Sequence, residues 1–87
     1  MVVGKVIGQA VSTIKDERLG KHRMLVVGKI GKNPDEILDR FVALDTVGAG
    51  EGMLVGVVEG DPAQKALGDG EVPADAVIVA IFDDLKM

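Results

Sequence analysis

Five short segments rich in β-branched residues, set apart by glycine-rich or charged stretches, constrain this chain most. They are Val2–Ile14, Met24–Ile30, Arg40–Val47, Met53–Glu59 and Ala74–Phe82. Such residues favour β-strands, and regularly spaced breaks are typical of small all-β domains. Five strands in 87 residues predict one small closed β-barrel that occupies the whole chain, residues 1–87, as a single domain.

The breaks between the segments carry recognisable turn signals. Gly31–Asp35 contains glycine and an Asn-Pro pair, which interrupt regular structure. The stretch Pro34–Asp39 is predicted to make one helical turn. Between strands four and five, Asp61 is suited to cap a helix and Pro62 to open it. We therefore expect one short helix over Ala63–Leu67.

Glycines and charges mark the first strand and the turn that follows it. Gly4 and Gly8 interrupt the first segment and are expected at β-bulges or barrel corners. Lys15–Lys21 is rich in charged residues and is predicted to form an exposed turn.

Two of the strands are apolar on both faces. Met24–Val27 and Ala76–Phe82 are uninterrupted apolar runs, and consecutive side chains of a strand point to opposite sides. Part of the outer surface should therefore also be covered, and another copy of the chain is the expected cover. Contact with a second copy would add buried surface to a chain of 87 residues, because small domains bury too little surface when they fold alone.

Composition argues against several classes of partner. The net charge is −4 and no basic patch is visible, whereas nucleic-acid binding depends on neutralising phosphates. The only aromatic residues are Phe41 and Phe82, so base stacking has little support. No apolar run approaches the ~18 residues of a membrane helix. Cysteine is absent, which excludes disulfides and thiolate chemistry and fits a reducing cytosol.

No set of residues forms a convincing catalytic or metal site. The residue types that such chemistry uses are scattered: His22, the pairs Asp35-Glu36 and Asp83-Asp84, and Ser12-Thr13. A single histidine without cysteines cannot complete a transition-metal set, and neighbouring carboxylates on a strand point apart. We expect His22 and the two carboxylate pairs to be solvated surface. Ser12 and Thr13 lie in a predicted strand with no recognisable triad around them, so we expect no catalytic residue, metal or cofactor.

One glycine-rich loop is a candidate binding site; it consists of Gly48, Ala49, Gly50, Glu51 and Gly52. It superficially resembles a phosphate-binding loop, but its third glycine comes one position early and a strand follows it instead of a helix. Tight turning or close backbone approach explains the glycines better. Asp45, just before the loop, is placed to cap the turn through backbone N–H groups.

Three stretches resemble one known family. Leu44-Asp45-Thr46-Val47-Gly48-Ala49-Gly50 with Met53-Leu54-Val55 is similar to its central Asp-x-Val-Gly-Ala-Gly stretch and following strand. Val72–Asp83 resembles its C-terminal Pro-Val-Asp-Ala-Ala-Val-Val-Gly-Ile-Val-Asp strand, and Gly4–Gly8 with Val11–Asp16 its first strand and turn. This is the EutN/CcmL family of bacterial microcompartment vertex proteins.

The resemblance implies a barrel of OB-like topology and a homopentamer that caps the vertices of a polyhedral shell in the cytoplasm. The other partners would be hexameric shell proteins, met through Lys15–Arg23 or Lys32–Asp35. We then expect the loop of Gly48, Ala49, Gly50, Glu51 and Gly52 near the five-fold axis, where space is scarce. Two alternatives remain at this point: a free-standing OB-like module that binds a small ligand or peptide, and a small enzyme.

Overall fold

The computed structural model describes residues 1–10, 22–60 and 75–83. They form five strands: β1 Val2–Ala10, β2 Met24–Ile30, β3 Ile37–Asp45, β4 Leu54–Glu59 and β5 Ala76–Phe82. The sheet runs in the order β1-β2-β3-β5-β4 and closes, because β4 also pairs with β1. Neighbouring strands are antiparallel except β3 and β5, which run parallel. The predicted closed five-stranded barrel is confirmed.

The hairpin between β2 and β3 corrects one local prediction. A helical turn over Pro34–Asp39 is wrong, because β3 already begins at Ile37 and pairs there with Ile30. The loop is instead closed by Asn33, whose side-chain oxygen accepts the Asp35 N–H at 3.0 Å. A β-branched pair across the hairpin thus extends the ladder farther than the local sequence suggests.

The third strand also ends earlier than predicted, at Asp45 instead of Val47. The cause is local: the Asp45 carboxylate accepts the Val47 N–H at 3.1 Å and turns the chain out of the ladder. The second strand has the predicted bounds, and β4 begins one residue late. The predicted helix over Ala63–Leu67 and the charged turn of Lys15–Lys21 lie outside the described residues.

Two glycines shape β1 in different ways: Gly8 lies at a bulge, as predicted, whereas the pairing is regular at Gly4. The pairing register of β1 with β2 shifts between Val6 and Gly8, which marks the predicted bulge. At Gly4, a side chain would run into Val27 and would come within 2.8 Å of the Gly28 carbonyl oxygen. The close approach of β1 and β2 therefore requires glycine at position 4.

The barrel interior is filled by small and medium aliphatic side chains contributed by all five strands. The cluster comprises Val6, Leu25, Val27, Ala43, Ala49, Val55, Val57 and Ile78. A second cluster, of Leu44 and Val77, is also buried. Because Leu44 follows Ala43 and Val77 precedes Ile78 along their strands, this cluster lies on the opposite face of the sheet.

The apolar side chains on the outer face of the barrel fall into two groups in the single chain, one buried and one exposed. Leu44 and Val77 are buried without any second copy, so part of the predicted cover is intramolecular. Other apolar side chains stay exposed: Leu38 and Val42 on β3, Ile81 on β5, and Val47 and Met53 beside the loop. The described residues contain no helix long and apolar enough to cross a membrane.

Candidate functional site

The glycine-rich loop passes over one end of the barrel. At its start, the Thr46 hydroxyl donates a hydrogen bond to the Ile78 carbonyl of β5 at 2.7 Å. At its far end, the Gly52 N–H donates to the Val6 carbonyl at 2.8 Å, and the Val6 N–H donates to the Met53 carbonyl at 2.9 Å. The loop is therefore fastened to β5 on one side and to β1 on the other.

Between these two attachments the loop dips into the core. Ala49 is 1% exposed and belongs to the interior cluster with Val6 and Leu25. Its methyl group helps to fill the end of the barrel that the loop covers. Ala49 belongs to the loop expected near the five-fold axis, and its side chain is packed inside its own barrel.

Asp45 organises the first half of the loop. One carboxylate oxygen, Oδ1, accepts the backbone N–H groups of Val47, Gly48 and Ala49 at 3.1, 3.1 and 3.2 Å. The predicted capping role of Asp45 is confirmed. The side chain is only 3% exposed, so these bonds supply the partners that a buried carboxylate requires.

Arg23 completes this arrangement, and sequence reasoning missed it. Its Nη2 donates to Asp45 Oδ2 at 2.9 Å and to the Ala49 carbonyl at 2.6 Å. The backbones are also joined, since the Asp45 N–H donates to the Arg23 carbonyl at 2.9 Å. Arg23 lies 22 residues before Asp45, a separation over which no local sequence pattern links the two side chains. Arg23 enters the sequence analysis only as the end of the Lys15–Arg23 stretch.

The charge state of Asp45 follows from these contacts. Burial by itself raises the pKa of the Asp45 carboxyl, but the Ala49 and Val47 N–H groups and the Arg23 guanidinium outweigh it. The net result is a pKa below the ordinary aspartate value. Asp45 is therefore ionised at neutral pH, as an ion pair with Arg23 requires.

The glycines of the loop differ in whether the backbone conformation or the packing of their own chain requires a glycine. Gly48 and Gly52 have φ of 78° and 88°, a region that other residues adopt only with strain. Gly50 has no positive φ, and a Cβ there would meet only the Met53 side chain, with Cε at 3.6 Å and Sδ at 3.9 Å, which are ordinary contact distances. The fold of the single chain thus explains Gly48 and Gly52 but not Gly50.

The other residues considered for chemistry do not come together. Asp35, Glu36 and Asp83 are exposed, and His22 is half-buried just before β2. Asp35 Oδ1 lies 3.6 Å from Lys5 Nζ, and Glu36 Oε2 accepts a hydrogen bond from the Lys32 N–H within its own loop. Ser12, Thr13 and Asp84 lie outside the described residues. Among those described, no group of three or more His, Asp or Glu side chains could hold a metal ion.

Comparison with known proteins identifies the family. Residues 1–83 match the family described as ethanolamine utilisation protein EutN/carboxysome. The bacterial microcompartment shell vertex protein GrpN of Rhodospirillum rubrum is 40% identical over 86 residues, which cover 99% of this chain and 97% of GrpN. The carboxysome shell vertex protein CcmL of Thermosynechococcus vestitus is 36% identical, over 99% of this chain and 87% of CcmL.

Solved structures agree with this match. The structure described as the GrpN pentameric microcompartment shell protein from Rhodospirillum rubrum superposes with a TM-score of 0.85 at 37% identity, covering 100% of this chain and 98% of GrpN. CcmL of Nostoc sp. PCC 7120 gives a TM-score of 0.88 at 35% identity, covering 98% of this chain and 92% of CcmL. Sequence match and shared barrel together establish that the chain belongs to the EutN/CcmL family.

Proposed function

We propose that this chain is a structural shell protein that assembles as a homopentamer and caps the vertices of a bacterial microcompartment. The observation that carries the proposal is the end-to-end similarity to GrpN, a protein described as a pentameric microcompartment shell protein. The sequence match with GrpN covers 99% of this chain and 97% of GrpN. A binding module or a small enzyme receives no comparable support, and we assign the chain no catalytic activity and no cofactor.

Exposed apolar side chains support self-association. Leu38, Val42, Val47, Met53 and Ile81 remain between 38% and 59% exposed in the single chain. They lie on the neighbouring strands β3 and β5 and beside the loop that follows β3. Apolar area left exposed on a small domain is a common contact surface between copies.

Geometry gives such a ring its place in a shell. Hexagonal tiles alone form flat sheets or tubes, and a closed icosahedral shell needs units of five-fold symmetry at its vertices. A homopentamer meets that need with one kind of subunit. Each contact with a tile edge can be small, because a pentamer makes five of them simultaneously.

We place the loop Gly48–Gly52 near the five-fold axis. Gly50 supports this placement, since nothing in its own chain requires a glycine there, while a crowded axis would. Ala49 is buried in its own barrel, so the surface offered to the axis would come from Gly48, Gly50, Glu51 and Gly52. Glu51 is exposed and would carry the charge at a pore mouth, where five like charges favour positions open to water.

The partners at the tile edges would be hexameric shell proteins. Of the two stretches proposed for this contact, Lys32–Asp35 forms the tip of the β2–β3 hairpin, with Lys32 and Asp35 exposed. The other, Lys15–Arg23, is described only from residue 22 onward. The charged tip is suited to a polar contact whose strength depends on salt.

Native mass spectrometry tests the pentamer directly. The expected mass is about 45.5 kDa, five times the 9.1 kDa of the chain. A monomeric mass at micromolar concentration would overturn the proposal.

Vertex capping needs a separate experiment. Hexameric shell proteins from the same host would be expressed with and without this chain, and the particles imaged by electron microscopy. Closed polyhedra are expected with the chain, and open vertices or tubes without it. Sealed shells that form equally well in its absence, with no other vertex protein present, would refute the capping role while leaving the pentamer intact.

A further inference from the structure

A small surface depression lies beside the loop, on the side of β1 and β2. Its lining includes Gly8 and Gln9 of β1, Arg23 before β2, and Gly50 and Glu51 of the loop. We call these five residues and the space between them the glycine depression. Its volume is about 90 Å³, smaller than the ~150 Å³ cavity that accepts a benzene ring. The space therefore suits a small aliphatic side chain better than an aromatic one.

Gly8 lies at the bulge of β1, but the fold of one copy does not require glycine there or at Gly50, the second glycine of this depression. Neither has a positive φ. A Cβ at Gly8 would meet no described atom within 4 Å, and at Gly50 only the end of the Met53 side chain. Glycine weakens a strand relative to alanine, and a bulge residue without a positive φ need not be glycine. The open space at position 8 is therefore available to an atom of another copy.

The loop offers a candidate for that occupant at its other end. Val47 adjoins Thr46, which is bonded to β5, whereas Gly50 and Glu51 approach β1. Val47 is 40% exposed. The other exposed apolar residue beside the loop, Met53, already contacts Gly50 of its own chain through its sulfur, 3.2 Å from the Gly50 N–H nitrogen.

Ring symmetry connects these two ends. In a closed ring every contact is heterologous, so a surface on one copy meets a different surface on the next. If the loops converge on an axis, the β5 end of one loop approaches the β1 end of its neighbour. One apolar projection and one glycine-lined hollow of matching size then lie on the two surfaces that meet.

We propose that the glycine depression is the socket for the next copy of this chain, and that the side chain it receives is Val47. The inference rests on the proposed pentamer and specifies its contact nearest the axis. It explains why Gly8 and Gly50 carry no side chain, and why an exposed valine stands on an otherwise small and polar loop. The contact is repeated five times, once between each pair of neighbours.

The absence of native cysteine allows a direct test by disulfide cross-linking. Two single variants, Val47→Cys and Gln9→Cys, are purified separately, unfolded, mixed and refolded together, then oxidised. Both positions are exposed, so neither substitution should disturb the barrel. A disulfide requires Cβ atoms about 3.5–4.5 Å apart. We expect cross-linked dimers in the mixture and none from either variant alone.

In the matched control, Val42→Cys takes the place of Val47→Cys in the cross-linking mixture. Val42→Cys is another exposed valine, 50% exposed on β3, and its mixture with Gln9→Cys should give no dimer. Absence of the 47–9 dimer from a sample whose native mass is pentameric would overturn the socket and spare the proposed function. A monomeric mass for the unaltered chain would overturn both.

Filling the socket gives an independent readout. Gly8→Val places a residue favoured in strands where the single chain has open space. The barrel should therefore keep its circular dichroism spectrum, while dissociation of the ring on dilution should begin at a concentration about tenfold higher or more. Unchanged dissociation of a correctly folded Gly8→Val ring would contradict the inference.

Discussion

The Arg23 guanidinium lies 2.9 Å from Asp45 Oδ2 and joins the entrance of β2 to the exit of β3. The same nitrogen also holds the Ala49 carbonyl at 2.6 Å. Asp45 in turn holds three N–H groups of the loop. Two charged side chains thereby fix the backbone of the loop that we place at the five-fold axis.

Removing the Arg23 side chain should destabilise the protein measurably. Arg23→Ala leaves the buried Asp45 carboxylate without its cation and the Ala49 carbonyl without this donor. We expect a loss of about 1–3 kcal/mol in the free energy of unfolding. Urea unfolding at fixed protein concentration measures it, because oligomer stability depends on concentration.

The exposed Arg40 of β3 provides the matched control for that experiment. Arg40→Ala removes the same charge from the surface and should change the free energy of unfolding by no more than about 0.5 kcal/mol. Equal effects from the two substitutions would show that net charge, and not the contact with Asp45, is responsible.

The Asp45 interaction predicts a dependence on acid. Its pKa is lowered in the folded chain, so the folded state binds this proton less readily than the unfolded chain does. The resulting stabilisation is fully present above the unfolded aspartate pKa of about 4, and it is lost as pH falls through the lower folded pKa. The charged group that faces Asp45 is the Arg23 guanidinium.

Comparison with Asp45→Asn isolates this contribution. The difference in free energy of unfolding between the unaltered chain and Asp45→Asn should be constant from pH 7 to about pH 5, and should shrink below about pH 4. Urea unfolding at a series of pH values measures the difference. A difference that stays constant down to the lowest pH at which both proteins fold would contradict the ionised assignment.

Gly4 should tolerate no side chain. A Cβ at Gly4 meets the Val27 side chain and the Gly28 carbonyl oxygen, and backbone cannot withdraw without separating β1 from β2. We expect Gly4→Ala to cost about 1–3 kcal/mol in stability, measured by thermal or urea unfolding.

Gly31 is the appropriate comparison for Gly4. A Cβ at Gly31 comes as close to its neighbours, 2.6–2.9 Å, but those atoms are the carboxylate of the exposed Glu36. A flexible side chain can move away, so Gly31→Ala should have a much smaller effect, about 0.5 kcal/mol or less. Equal losses at both positions would show that the interstrand distance is not the cause.

Substitutions at two loop glycines should have different effects, one on the stability of the subunit and the other on assembly of the pentamer. Gly48→Ala must adopt a φ of 78° and should lower stability by about 1–2 kcal/mol. Gly50→Leu meets no such strain, and its Cβ would meet only the Met53 side chain, at ordinary contact distances of 3.6 and 3.9 Å. It should leave the subunit folded and impair the pentamer, as seen by circular dichroism and native mass spectrometry. Gly50→Leu pentamers with an unchanged melting temperature would show that the loop does not lie at the axis.

Much of this protein could be predicted from local sequence. Runs of β-branched residues located the five strands, because strand propensity and turn residues act over a few neighbouring positions. The Asp45 cap was predictable for the same reason, since its N–H partners lie within four residues. The family was predictable from three short motifs in the right order.

Tertiary structure decided what depends on contacts between distant parts of the chain. Arg23 is placed beside Asp45 by the pairing of β2 with β3, and Ala49 enters the core only because the loop passes over the end of the barrel. The parallel pairing of β3 with β5 closes the barrel through just two residue pairs, Leu44 with Val77 and Asp45 with Ile78. Gly4 and Gly50 look alike in sequence, and only packing distinguishes a glycine that its own barrel needs from one that it does not.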